Sequence, residues 1–162
     1  TDGAREGIAV CLYELLLMGI QSENILIYNL ELILSKGYKR TYSAYVTDGH
    51  IASRLINTEE LKEFDAVFVS GGDSAVLCRE MVRTGFGCAI EQAVNAGLVY
   101  VGISAGSMYA AGNLEEGLNI IPNPIIPHWN GDKLTSLPIG SEEIKLADGQ
   151  TIYVEGYNIC LI

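Results

Sequence analysis

Three short segments hold side chains suited to acyl transfer. The first is Gly102-Ile103-Ser104-Ala105-Gly106, which follows the apolar run Leu98-Val99-Tyr100-Val101. A buried strand that ends in a sharp turn, with a serine at the turn and a helix behind it, is a nucleophile elbow. The glycines two before and two after the serine leave room that a Cβ would fill. The second segment is Val67-Phe68-Val69-Ser70-Gly71-Gly72-Asp73-Ser74, a strand running into a glycine turn and then a helix. In a parallel sheet it ends on the same edge as the elbow. There the backbone N–H near Gly72 can pair with that of Ala105 as an oxyanion hole. The third is Ile125-Ile126-Pro127-His128-Trp129-Asn130. An imidazole just beyond a short apolar strand can take the Ser104 proton and return it to a leaving group.

Each segment alone has a plainer reading. Glycine-rich strand-to-helix turns also join βα units or hold phosphates. Asp73 is a natural N-cap for the helix that follows, and a histidine at a strand end can simply pack. His50 follows Thr47-Asp48-Gly49, a turn signature, and is expected at the surface. Their common order along the chain favours chemistry.

The elements that must position these residues alternate between helix and strand. Apolar spacing predicts a helix over 4–20, a strand over 25–29, a strand over 41–47 and a helix start at Thr58. A buried strand over 64–70, a helix over 74–82, a break at 85–87 and a helix over 88–95 lead to the elbow strand. Beyond the elbow, 142–146 and 150–155 are expected to pair antiparallel around a turn at Asp148-Gly149, and 157–162 to close a hairpin. Such a pattern argues for an α/β sheet covered on both faces.

The 162 residues are read as a single domain, with 49% hydrophobic and 19% charged residues. A net charge of −10 disfavours nucleic acid, because phosphate neutralisation needs cations. Neither a membrane span nor a cleavable leader is expected, since the apolar stretch 8–20 is short and interrupted by Glu14. Cys11, Cys78, Cys88 and Cys160 form no CxxC pair and read as reduced thiols, the first three buried in apolar helices, in a cytoplasmic protein. No metal site is expected, because His50 and His128 lack ligand spacing to them. No cofactor is implied, and the oligomeric state is open.

Together the segments resemble the peptidase E family, serine peptidases on the class I glutamine amidotransferase-like fold. The resemblance rests on Gly71-Gly72-Asp73-Ser74, the helices around 81–86 and 93–97, the elbow at 102–107, Pro127-His128-Trp129-Asn130, and the segment 148–156. It implies a three-layer, doubly wound, mostly parallel sheet with a C-terminal β-hairpin. It implies a Ser–His–acid hydrolase acting on small peptides, with Asp-X dipeptides or a β-linked aspartyl polymer as the family's substrates. Ser104 would be the nucleophile and His128 the base. The family's acid lies between the elbow and the histidine. Here that interval has 23 residues, with Glu115 and Glu116 as its carboxylates. Either one of them orients His128, or the acid-bearing loop, like the first strand of the sheet, is absent from this sequence.

An aspartyl substrate needs a cation, for which Arg79, Arg83, Lys133 and Lys145 are available. Three other readings compete. An α/β-hydrolase esterase shares the elbow but takes its histidine late in the chain. A glutamine amidotransferase needs cysteine where Ser104 stands. A catalytically weak binding protein on the same scaffold needs no acid at all.

Overall fold

The computed structural model describes Ile25–Tyr28, Val46–Thr47, His50–Ile51, and residues 58–69, 71–138, 140 and 142–162. The helix expected over 4–20 and most of the strand expected over 41–47 lie outside these residues.

Three strands form a parallel sheet. They are β1 (Ile25–Tyr28), β4 (Ala66–Val69) and β5 (Val99–Gly102), in the order β1-β4-β5. Between β1 and β4 come the short antiparallel pair β2 (Val46–Thr47) and β3 (His50–Ile51), and helix α1 (Thr58–Leu61). The central strand β4 is buried along its whole length, which is why it reads as a continuous apolar run rather than an alternating one. Val69 lies opposite Gly102 in the register, so β4 and β5 end at the same level. The two glycine turns therefore emerge side by side.

Helices α2 (Ser74–Thr84) and α3 (Phe86–Asn95) connect β4 to β5. The Asp73 carboxylate accepts from Val76 N at 2.9 Å and starts α2. Gly85, at φ 73°, ends α2 in the left-handed conformation, and its N–H closes on Val82 O. The same residue is the N-cap of α3, so the helix restarts at Phe86, two residues earlier than its sequence suggests. Leu61, Val67, Val69, Met81, Phe86 and Ile90 fill the core between sheet and helices. Tyr109, from helix α4 (Ala105–Ala110), enters the same core at 2% exposure. Burial of each such large side chain is worth about 1.5–3 kcal/mol. Cys78 is buried there too, whereas Cys88 is exposed on α3, contrary to expectation, because the helix turns its buried face through Ala89, Ile90 and Ala93.

The C-terminal part differs from the expected antiparallel pair. Strand β7 (Ile144–Lys145) runs parallel to β6 (Ile125–Ile126) rather than folding back on the segment after Asp148. Ile144 N donates to Pro124 O and Leu146 N to Ile126 O, at 2.8 and 2.9 Å. Asn123 fixes the returning chain by donating to the carbonyls of Gly140 and Glu142. The antiparallel hairpin forms one step later, between β8 (Ile152–Glu155) and β9 (Asn158–Leu161), with Gly156 at φ 58° in its turn. Ala111, Ile121, Ile125 and Ile144 make a second, smaller core beneath these strands. The described residues thus establish an α/β fold with a parallel sheet and a C-terminal hairpin. They do not extend to the three-layer, doubly wound arrangement. Among them, no helix is long and apolar enough to cross a membrane.

Candidate active site

Ser104 sits between β5 and α4 at φ 54° and ψ −113°, a conformation that costs an L-residue on the order of 1–3 kcal/mol. The neighbouring glycines make it attainable. A Cβ on Gly102 would come within 2.5 Å of Gly106 O, and one on Gly106 would collide with the Val69 carbonyl. Side chains brace the same turn. Tyr100 Oη donates to Gly106 O and Ser107 Oγ to Gly102 O, both at 2.8 Å. Burial pushes the Tyr100 phenol well above its usual range, so it remains a donor. Ile103 N donates to Val69 O, which ties the elbow to the end of β4.

The glycine turn after β4 abuts the serine. A Cβ on Gly71 would lie 3.0 Å from Ser104 Cβ and 3.3 Å from its Oγ. Gly72, at φ 144°, holds a backbone conformation that favours glycine. Ala105 opens α4, where the first N–H groups have no intrahelical acceptor. Gly71 thus abuts Ser104 from one turn, with Gly72 next in the chain, and Ala105 follows it in the other.

His128 follows β6, and its Nδ1 donates to Asp148 Oδ1 at 2.7 Å. An ionised carboxylate can only accept, so in the neutral imidazole this contact places the proton on Nδ1 and leaves the lone pair on Nε2. Parallel pairing explains the contact. His128 lies two residues beyond β6 and Asp148 three beyond β7, and the two strands point the same way. Trp129 N donates to Leu146 O and continues the ladder between them. His128 has φ 56°, so the chain turns at the imidazole itself. Both side chains are about half exposed.

Ser104, His128 and Asp148 line one cavity of about 920 Å³, with Gly149, Gln150 and Ile152 on its wall. Glu115 and Glu116, the carboxylates considered from sequence, are exposed and do not line it. Glu116 lies instead in a separate hollow with Cys78, Arg79 and Arg83. The residue the sequence reading missed is Asp148, which it assigned to a hairpin turn. The one signal was their spacing: His128 and Asp148 stand two and three residues beyond the short strands Ile125–Ile126 and Ile144–Lys145.

None of the four candidate cations lines this cavity; Lys133 Nζ lies 4.0 Å from a Cβ built on Gly149, which does. Lys145 Nζ stacks 4.7 Å from the Trp129 ring centroid, and Arg83 pairs with Glu80 at 2.6 Å. Arg79 faces Glu80 and the separate hollow.

Comparisons with known proteins identify what the chain is similar to. An uncharacterized peptidase of Pasteurella multocida is 29% identical over 108 residues, covering 56% of this chain and 50% of that protein. A peptidase E of Streptomyces coelicolor is 40% identical over 82 residues, covering 43% of this chain and 34% of that protein. The chain thus spans half or less of the length of these two relatives. A crystal structure titled "Putative Peptidase E Protein", from Listeria monocytogenes, superposes with a TM-score of 0.61 at 17% identity. The match covers 88% of this chain and 87% of that one, a likeness of fold. The sequence model of Peptidase family S51 matches residues 49–162, most of the chain, and the protein belongs to that family.

Proposed function

We propose that the site is a serine peptidase centre, with Ser104 as nucleophile, His128 as general base and Asp148 as the acid that orients it. The observation that carries the reading is the 2.7 Å contact between His128 and Asp148 on the cavity that also holds the strained Ser104. Ser104 Oγ attacks the peptide carbonyl carbon and its proton passes to His128 Nε2. The N–H groups of Gly72 and Ala105 receive the developing oxyanion. The C–N bond breaks as His128 returns the proton to the departing amine. A water then attacks the Ser104 ester and gives a proton to His128, which passes it to the departing Ser104 Oγ as the carboxylic acid is released.

The substrate proposed is a small peptide. The family resemblance narrows it to an Asp-X dipeptide, with Lys133 as the cation at the rim. Free thiols at Cys88 and Cys160 suit a reducing compartment, and the cytoplasm is the proposed location. A fluorophosphonate probe tests the nucleophile: labelling is expected in the full chain and lost in Ser104→Ala. Absence of labelling in folded protein would favour the binding-protein reading. If labelling occurs, turnover of Asp-X dipeptides compared with simple esters separates a peptidase from an esterase.

A further inference from the structure

Gln150 lies two residues beyond Asp148, and its side chain makes three hydrogen bonds to main chain. Its Oε1 accepts from Leu134 N at 3.1 Å and from Ala147 N at 3.4 Å, and its Nε2 donates to Leu134 O at 2.8 Å. Its own N–H closes a turn on Ala147 O at 3.1 Å. Asp148 and Gly149 are the two central residues of that turn. Gly149, at φ 82°, takes the place where positive φ is required. Both the N–H and the C=O of Leu134 are thus held by one side-chain amide. Leu134 closes the loop that begins at His128, and Ala147 opens the turn that carries Asp148.

We propose that Gln150 is a positioning residue for the His128–Asp148 pair, clamping the loop after the histidine to the turn that presents the carboxylate. This rests on the peptidase reading above. Asp148 is about half exposed and not enclosed by packing, so its place beside the imidazole is set by the turn that bears it. A carboxylate left free to rotate or shift by about 1 Å no longer holds the imidazole, and such misplacement costs up to about a hundredfold in rate. The amide suits the task because it offers both a donor and an acceptor to the main chain of one residue. Carboxylate or hydrocarbon at this position cannot do both.

A double-mutant cycle in the full chain tests this. Gln150→Ala, Asp148→Ala and the double variant are compared by kcat and KM on a peptide that the wild type hydrolyses, normalised to serine titrated by fluorophosphonate. Gln150→Ala is expected to lower kcat about tenfold with KM unchanged. In the Asp148→Ala background it is expected to change kcat less than twofold, because nothing remains to position. Gln150→Glu keeps the acceptor and loses the donor, and is expected to fall between alanine and wild type. If alanine at 150 unfolds the chain, the glutamate variant carries the same cycle. Equal losses from the position-150 change in both backgrounds would overturn the proposal while leaving the catalytic pair intact. So would a position-150 variant with wild-type kcat. An Asp148→Ala variant with wild-type kcat would instead overturn the role of Asp148 in the peptidase reading, and this proposal with it.

Discussion

Replacing Asp148 with asparagine tests the centre most directly. The side chain keeps its shape and can still accept from His128 Nδ1 through its carbonyl, but the negative charge is gone. A buried triad aspartate treated this way loses about 10⁴ in kcat, near 5.5 kcal/mol. The present pair is about half exposed, so water screens much of the attraction to the imidazolium that forms in the transition state. Two unit charges about 4 Å apart gain about 1 kcal/mol in water and about 4 kcal/mol near a protein surface. A half-exposed pair falls between, at about 2 kcal/mol, or a loss of about thirtyfold in kcat. The assay is steady-state hydrolysis of a peptide substrate, with KM followed separately, since the carboxylate acts after binding. Glu115→Gln and Glu116→Gln serve as controls and are expected within twofold of wild type, because neither side chain lines the cavity. Asp148→Asn within twofold of wild type, with Ser104→Ala inactive, would refute the assignment of the acid. A large loss in either glutamate control would refute it equally.

Four further outcomes follow from the same geometry. Ser104→Gly removes the strain at φ 54° and should raise stability by about 1 kcal/mol despite abolishing hydrolysis, read as a higher Tm. Gly106→Ala should lower stability by more than about 2 kcal/mol, because its Cβ meets the Val69 carbonyl, and urea unfolding measures this. Burial pushes the Tyr109 phenol up to about 12 from an ordinary value of 10.0. Its contribution is therefore full below pH 10 and lost as pH rises towards 12. About 3 kcal/mol of stability should disappear across that window, and Tyr109→Phe should flatten the alkaline limb of an unfolding titration. Lys133→Ala should reduce the preference for Asp-X over Ala-X dipeptides about fivefold, since an exposed ion pair is worth about 1 kcal/mol at most. Unchanged discrimination would remove Lys133 as the selector.

The parts of this protein that the sequence discloses are those governed by local rules. The apolar run into Gly102, the small residues on both sides of Ser104 and the cap at Asp73 each act within a few positions. Their geometry follows from sterics over one or two turns of chain. Asp148 escaped because its contact with His128 depends on which strand Ile144–Lys145 joins. Period-two alternation identifies a strand and its buried face, yet it is silent on whether the partner runs parallel or antiparallel. An Asp-Gly pair suggests a tight hairpin, and the structure uses it instead for a turn held by Gln150. The interval between elbow and histidine drew attention to Glu115 and Glu116 because sequence proximity stood in for spatial proximity. Long-range pairing between β6 and β7 decided otherwise.

The two halves of the proposed catalytic centre rest on different foundations. Ser104 is anchored in the sheet and the larger core of α2, α3 and Tyr109. His128 and Asp148 hang from two-residue strands over the smaller core. Local opening costs least where few apolar contacts must be broken. His128 and Asp148 can therefore part from Ser104 while the serine's own scaffold stays folded. Hydrolysis should then fail at a lower denaturant concentration than the sheet does. Amide exchange should be faster at Trp129 and Leu146 than at Val101 and Ile103. The melting of the fold and the melting of its chemistry would be two events, and the second would come first.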